Sequence, residues 1–285
     1  MLVVSGFLGS GKTTLVRHLL ADAQRTGLRL AVVSNEFGDL GIDQALLGGS
    51  DAAYVELAGG CVCCQLSNDL LDTLQNLRET IDPDRIVVET SGVALPSETL
   101  LNFYRDPVRA WVADDIGVVV VNAEQVYEGR DLEGTFEDQL TAADLIVLNK
   151  LDLVPPAALE AIEHRLRAIE PEAPLVRTSN ADVDPALLFV PDPVARGHRR
   201  RERPPHSHEH FESEELHFPD GVRASDVEAS IRAQAPLRAK GFVATDVGLR
   251  LLQCVGQRIQ LEPVPAAPRP GMIGRVVVIR RRSMS

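Results

Sequence analysis

The chain has 285 residues, of which 45% are hydrophobic, and a formal net charge of −12. That length holds one large domain and one small one with an ordinary core. The negative balance argues against nucleic acid as a main partner. No apolar run approaches the ~20 residues of a membrane span, so no membrane partner is expected.

The first predicted element is a buried strand over residues 1–4. It leads straight into Gly6-Phe7-Leu8-Gly9-Ser10-Gly11-Lys12-Thr13, which fits G-x-x-x-x-G-K-[ST] without a mismatch. Helix-period residues from Thr14 onward follow. Strand, glycine loop and helix in that order make a phosphate cradle, with backbone N–H groups pointing inward. Gly6, Gly9, Ser10, Gly11 and Thr14 would line it. Lys12 would reach the β- and γ-phosphates, and the Thr13 hydroxyl would bind Mg²⁺.

A second strand is predicted over 30–34. Behind it, Ser34 to Asp43 carries three acids and two glycines and reads as a switch loop near the phosphates. Glu36 and Asp39 are its candidates for orienting water or reaching an ion. A strand over 53–57 then precedes Gly59-Gly60-Cys61-Val62-Cys63-Cys64, which puts three of the four cysteines within four residues. Thiolates take Zn²⁺, Cu⁺ or Co²⁺. Cys61 with Cys63 or Cys64 could chelate one ion, and a redox switch is the competing reading. A disulfide is disfavoured, because nothing else points to an oxidising compartment. Cys254, in the apolar stretch Leu251 to Val255, reads as a buried core thiol.

The strand over 85–89 ends in Glu89-Thr90-Ser91-Gly92. Sites cluster at such strand ends in open parallel sheets, so Glu89 is the candidate acid for Mg²⁺, held directly or through water. Strands over 117–122 and 145–149 follow. The latter ends in Asn149-Lys150-Leu151-Asp152. The Asp152 carboxylate can accept from both guanine donors, a pair that adenine lacks, so GTP is expected over ATP. After a last strand over 174–177, Thr178-Ser179 stands where a loop could lie against the base.

The alternation of strands and helices up to residue 190 predicts an α/β domain with a mostly parallel sheet and helices on both faces. Residues 191–211 are a His-, Pro- and Arg-rich linker. There His206, His208 and His210 suggest weak, exchangeable metal capture, against the plainer reading of a solvated polar stretch. Residues 212–285 predict a smaller α+β unit: a strand from Glu215, a helix from Ser225 to Gln234 with Ser225 as N-cap, and strands near 239–245, 249–261 and 274–280.

Taken together, the motifs at 6–15, 35–43, 59–64, 89–92 and 149–152 resemble those of the CobW-type GTPases, relatives of the UreG and HypB metallochaperones. A weaker match at 237–243 extends the resemblance over nearly the whole chain. It implies a P-loop GTPase domain and a CobW-like C-terminal domain. It further implies a slow GTPase that uses Mg²⁺ and holds Zn²⁺ or Co²⁺ at the C-x-C-C thiolates for delivery to a client metalloprotein. A homodimer is among the expected assemblies. The alternative is a GTP-dependent regulatory switch with redox- or stress-sensing cysteines. Because Met1 opens a core strand, no leader peptide is expected, and the expected compartment is the cytoplasm.

Overall fold

The computed structural model describes residues 1–34, 53–56, 65–112, 115–189, 211–264 and 273–281. The fold divides into two compact units, Met1–Pro171 with Leu175–Asp182, and Glu172–Pro174 with Val183–Ser285.

The first unit is built on seven parallel strands: β1 (Leu2–Ser5), β2 (Leu30–Ser34), β3 (Ala53–Glu56), β4 (Arg85–Glu89), β5 (Ile116–Asn122), β6 (Leu145–Asn149) and β7 (Leu175–Arg177). Their order in the sheet is β3-β2-β4-β1-β5-β6-β7. The helices are α1 (Lys12–Thr26), α2 (Gln65–Thr80), α3 (Pro96–Phe103), α4 (Ala123–Glu128), α5 (Thr135–Thr141) and α6 (Leu159–Ile169). The strands are near-continuous Val, Ile and Leu because both sheet faces are covered; β5, IGVVVVN, is buried along its whole length. Leu70, Leu71, Leu74 and Leu77 of α2 recur at helical spacing. They pack on Val3, Val33, Ile86 and Val88 of the sheet. Each such side chain contributes about 1.5–3 kcal/mol when fully buried.

Register places the site. Ser34 of β2 and Val4 of β1 both pair with Glu89 at the carboxyl end of β4. Asn122 of β5 pairs with Asn149 of β6. Ser5, Ser34, Glu89, Asn122 and Asn149 thus end five strands with buried polar side chains along one sheet edge. At the opposite end, the Gly117 N–H donates to Asp144 Oδ2 at 2.7 Å, and the Asp144 N–H returns a bond of 2.8 Å to Gly117 O. The exchange ties the start of β5 to the turn into β6.

The second unit opens with the one-turn helix α7 (Pro185–Leu188). It continues as α8 (Ala224–Ala233) and an antiparallel sheet of β8 (Phe211–His217), β9 (Arg238–Thr245), β10 (Gly248–Val255), β11 (Arg258–Pro263) and β12 (Arg275–Arg281). The sheet order is β11-β10-β9-β12-β8. Val227 and Ile231 of α8 cover Ala239, Val243, Leu252, Cys254, Val276 and Val278. Cys254 is buried, as its apolar setting implied.

Two details differ from the sequence reading. Ser225 is not the N-cap of α8. The helix begins one residue earlier behind Arg223, and the Ala224 N–H is capped from a distance by Asp246 Oδ1 at 3.0 Å. A carboxylate at a helix start satisfies an orphan donor wherever it comes from in the chain, so the local Ser-x-x-Glu pattern misled. The stretch 249–261 is also not one strand. It folds back at Gly256, which has a φ of 58°, and becomes the hairpin of β10 and β11. The left-handed conformation is open to glycine at little cost, and that turn signal was overlooked.

Candidate functional site

The glycine loop lies between β1 and α1, as the sequence order dictates. Gly6 passes so close to β5 that a Cβ there would stand 2.2 Å from Val120 O. Gly11 has a φ of 111°, and a Cβ there would stand 2.3 Å from Asn149 Nδ2. Both positions therefore exclude any side chain. The Gly9 φ of 69° also lies in the left-handed region, and Ser10 N–H closes a turn onto Phe7 O at 3.2 Å. α1 begins at Lys12 behind Gly11, with no side-chain cap and no acid in its first turn. Its N-terminal N–H groups thus meet no acid from the helix's own first turn, an arrangement that favours a bound phosphate. Ser10 Oγ is buried and has no hydrogen-bond partner among the described residues, a further donor suited to an anion.

Lys12 is buried, and its ammonium reaches Phe7 O at 3.4 Å across the loop. Next to it, the Thr13 hydroxyl donates to Glu89 Oε1 at 2.8 Å. Glu89 is fully buried at the end of β4. The structure therefore brings Lys12, Thr13 and Glu89 together, although 76 residues separate the last two. Thr14 follows on the first turn of α1.

Asn149 connects three segments. Its Nδ2 donates to Ser10 O at 2.8 Å, and its Oδ1 accepts from the Ala181 N–H at 2.7 Å. The amide thus locks the phosphate loop to the loop after β7. Lys150 adopts a left-handed conformation with φ 63°, which turns the chain into the short 3₁₀ turn Leu151–Leu153, where Asp152 is exposed. The loop after β7 is itself constrained. Thr178 Oγ1 donates to Asp182 O at 2.8 Å, and both Asn180 and Ala181 have positive φ, 54° and 52°. Such a pair of non-glycine residues persists only where the surroundings hold it.

Three contributors escaped the sequence reading. His18 of α1 lies with Nδ1 3.2 Å from Ala181 O. Ser5 Oγ donates to Ala94 O at 3.3 Å. Gln139 of α5 donates from Nε2 to Gly92 O at 3.1 Å and to Ala94 O at 2.9 Å. A signal for Gln139 was present: it lies on the same buried stripe as Phe136 and Leu140, where a polar residue needs a reason.

Glu36, Asp39, Cys61, Cys63, Cys64, His206, His208 and His210 lie outside the described residues. Among the described residues no group of three or more His, Cys, Asp and Glu is placed to hold a metal ion. No helix among them is long and apolar enough to cross a membrane.

A parallel sheet, a glycine cradle at a helix N-terminus and an Asn-Lys-x-Asp turn against the same loop define a P-loop GTPase. The chain belongs to the CobW/HypB/UreG family, whose nucleotide-binding domain matches residues 1–177. The zinc chaperone CobW of Sinorhizobium sp is 36% identical over 282 residues, which span 87% of this chain and 79% of that protein. The zinc chaperone YjiA of Escherichia coli is 34% identical over 194 residues, 66% of this chain and 59% of that protein. The crystal structure of Zn(II)-bound YjiA GTPase from E. coli superimposes with a TM-score of 0.53 at 25% identity, covering 98% of this chain and 92% of that one.

Proposed function

We propose that the protein is a GTP-driven zinc chaperone. It binds zinc at Cys61, Cys63 and Cys64 and passes it to a client metalloprotein in the cytoplasm. The observation that carries this reading is the 36% identity to a zinc chaperone across 87% of the chain. The C-x-C-C thiolates supply the donor chemistry, and cobalt is the competing ion for the same thiolates. We retain the division into a GTPase domain over 1–190, a linker over 191–211 and a C-terminal domain over 212–285. The linker residues His206, His208 and His210 serve as a weak, exchangeable capture site.

Gly6, Gly9, Ser10, Gly11 and Thr14 cradle the phosphates, with Lys12 on the β- and γ-oxygens. Thr13 and Glu89 suit Mg²⁺, because their oxygens form a hard donor pair of the kind that ion prefers, 2.8 Å apart at the helix start. Held there, Mg²⁺ would supply positive charge against the phosphates. Lys150 and Asp152 take the base, and Asn149 holds the two loops that flank it. Glu36 and Asp39 orient the attacking water. No arginine stands within these motifs to neutralise the transition state, so intrinsic turnover is slow.

Zinc capture and nucleotide state are linked in this reading. Metal should bind more tightly with GTP than with GDP, by about 5–150-fold, and GTP should gain the same factor from metal. A Zn²⁺ competition titration with a chromophoric chelator, run with GTP, with GDP and without nucleotide, tests it; a parallel Co²⁺ series ranks the metals. Cys61→Ser and Cys64→Ser should each lose the tight site, and Cys254→Ser should keep it. One zinc affinity in all three nucleotide conditions would sink the chaperone mechanism.

A further inference from the structure

Gln139 is buried on α5 with 1% of its surface exposed. Its Nε2 donates to Gly92 O at 3.1 Å and to Ala94 O at 2.9 Å. Both carbonyls belong to the loop that leaves β4 directly after Glu89. The two acceptors fix which way the amide faces, since the flipped amide would set an oxygen against two carbonyls. Oε1 therefore points the other way, and it is buried without a hydrogen-bond partner among the described residues. A buried acceptor left unmatched costs stability. A methionine of similar length would avoid that cost but would take this donor from the Gly92 and Ala94 carbonyls, so what the glutamine supplies is its hold on the loop.

The loop it grips touches the phosphate cradle. A Cβ on Gly92 would stand 2.7 Å from Leu8 Cδ2 and 2.9 Å from Leu8 N. Leu8 is part of the glycine loop, so any movement of the Gly92 backbone is movement along the cradle wall. A second grip comes from Ser5, the last residue before Gly6, whose hydroxyl donates to the same Ala94 O at 3.3 Å. The Thr90 N–H, bonded to Val4 O at 3.0 Å, anchors the start of the loop. The segment from Gly92 to Ala94 is thus held between α5 and β1 by side chains that belong to no nucleotide motif.

We propose that Gln139 is a positioning residue for GTP hydrolysis. Its amide sets the Gly92–Ala94 segment against Leu8, and this placement keeps Glu89, Thr13 and the cradle in one hydrolysis-competent arrangement. The proposal rests on the chain's GTPase activity and is independent of the metal it carries.

The test is steady-state GTP hydrolysis with Mg²⁺ and no added zinc, on full-length wild type, Gln139→Met and Ser5→Ala. GDP affinity is measured with a fluorescent analogue, and thermal unfolding checks the fold. Misplaced catalytic geometry lowers kcat by about tenfold or more, as a shift of order 1 Å does elsewhere. Gln139→Met should show that loss, with GDP affinity held within about threefold, the signature of an interaction that matters in the transition state and not in product binding. Ser5→Ala removes one of the donors to Ala94 O, and should lower kcat in the same direction by about two- to fivefold. A folded Gln139→Met with wild-type kcat overturns the proposal. So does a loss of GDP affinity as large as the loss of kcat, which would make Gln139 general scaffolding. If Gln139→Met does not fold, Ser5→Ala decides, and an unchanged kcat there overturns it. Zinc is absent throughout, so failure of the chaperone reading leaves this result untouched.

Discussion

In the first unit buried polar side chains gather at the carboxyl ends of the strands: Ser5, Ser34, Glu89, Asn122 and Asn149, with Lys12 and Ser10 beside them. In the second unit the buried polar side chains among the described residues are Arg238 and Thr245. Arg238 donates to Leu187 O at 2.9 Å and also to Leu188 O at the end of α7, and Thr245 Oγ1 donates to Gly248 O at 2.7 Å within its own hairpin, so each matches a backbone carbonyl of the same unit. The other polar pairs of that sheet are partly exposed, as where Arg275 donates to Glu215 Oε2 at 2.7 Å. That bond holds the Glu215 carboxyl below its ordinary range. Burying a polar group is expensive unless it is matched. The first unit accepts that cost at one edge; among the described residues the second carries it at a single side-chain atom, Arg280 Nε. The contrast separates a part built to hold a charged ligand from a part built to pack.

Two glycines offer the sharpest way to break this contrast. Gly11→Ala forces a Cβ into Asn149 Nδ2 at a φ of 111°. Gly241→Ala forces one to 2.1 Å from Arg275 O, across the pairing of β9 with β12. Both should destabilise the protein by about 1–3 kcal/mol or more, since neither the Asn149 amide, pinned to Ser10 and Ala181, nor the Arg275 carbonyl can yield cheaply. Function should divide them. Gly11→Ala should lose GTP binding by at least about 100-fold, because the phosphate loop and Asn149 move together. Gly241→Ala should keep GTP affinity at a temperature where it remains folded. Nucleotide titration of both variants, beside their urea midpoints, checks this. Equal loss of GTP affinity in the two would erase the functional distinction between the units.

A finer cut lies inside the first unit, between the groups that hold the loops and the residue proposed to meet the base. Asn149 spends its Oδ1 and one Nδ2 hydrogen on Ala181 and Ser10, whereas Asp152 is exposed at its turn. Asp152→Asn should therefore weaken GTP binding by about 10–100-fold, the loss of two charge-assisted bonds, and should favour xanthosine triphosphate, whose extra oxygen can accept from the amide. Thermal stability should hardly change. Competition of GTP, ATP and xanthosine triphosphate on wild type and variant reads the result. Equal GTP and ATP affinity in the wild type would remove Asp152 from base recognition.

The same contrast explains what was legible in the chain. β1, β4, β5 and β6 could be read because strands buried on both faces must be apolar throughout, and the glycine loop because its spacing is set by the phosphates it wraps. Glu89 was legible from its place at a strand end. The bond from Thr13 to Glu89 was not, because only the β1–β4 register brings the two together. Asn149 was read as part of a guanine motif, and its grip on Ser10 and Ala181 needed the fold. The cap that Asp246 gives α8 and the second hold of Ser5 on Ala94 were invisible for the same reason, since each joins residues from different elements. Gln139 could have been suspected from its place on an apolar stripe, but its acceptors could not have been named.

The smallest expected effect belongs to Cys254, a thiol buried in the core of the second unit. Its thiol donates to Gly256 O at 3.3 Å. Burial pushes its pKa up to about 11, against the opposing pull of Arg232. A free thiol in an unfolded chain ionises near ~8.5. The folded state therefore keeps its proton where the unfolded chain has lost it, so ionisation favours unfolding as pH rises from ~8.5 to ~11, and the contribution vanishes below ~8.5. At pH 10 the lost stability amounts to about 2 kcal/mol. Cys254→Ala should lower stability at pH 7.5 by about 1 kcal/mol for the lost packing and should flatten the decline toward pH 10. Urea midpoints of wild type and variant at the two pH values measure the difference, in which the titration of every other group cancels. Parallel declines would show that the thiol ionises as readily in the folded unit as in the unfolded chain, and that the core around α8 admits charge that the packing of Val227, Ile231 and Leu252 should exclude.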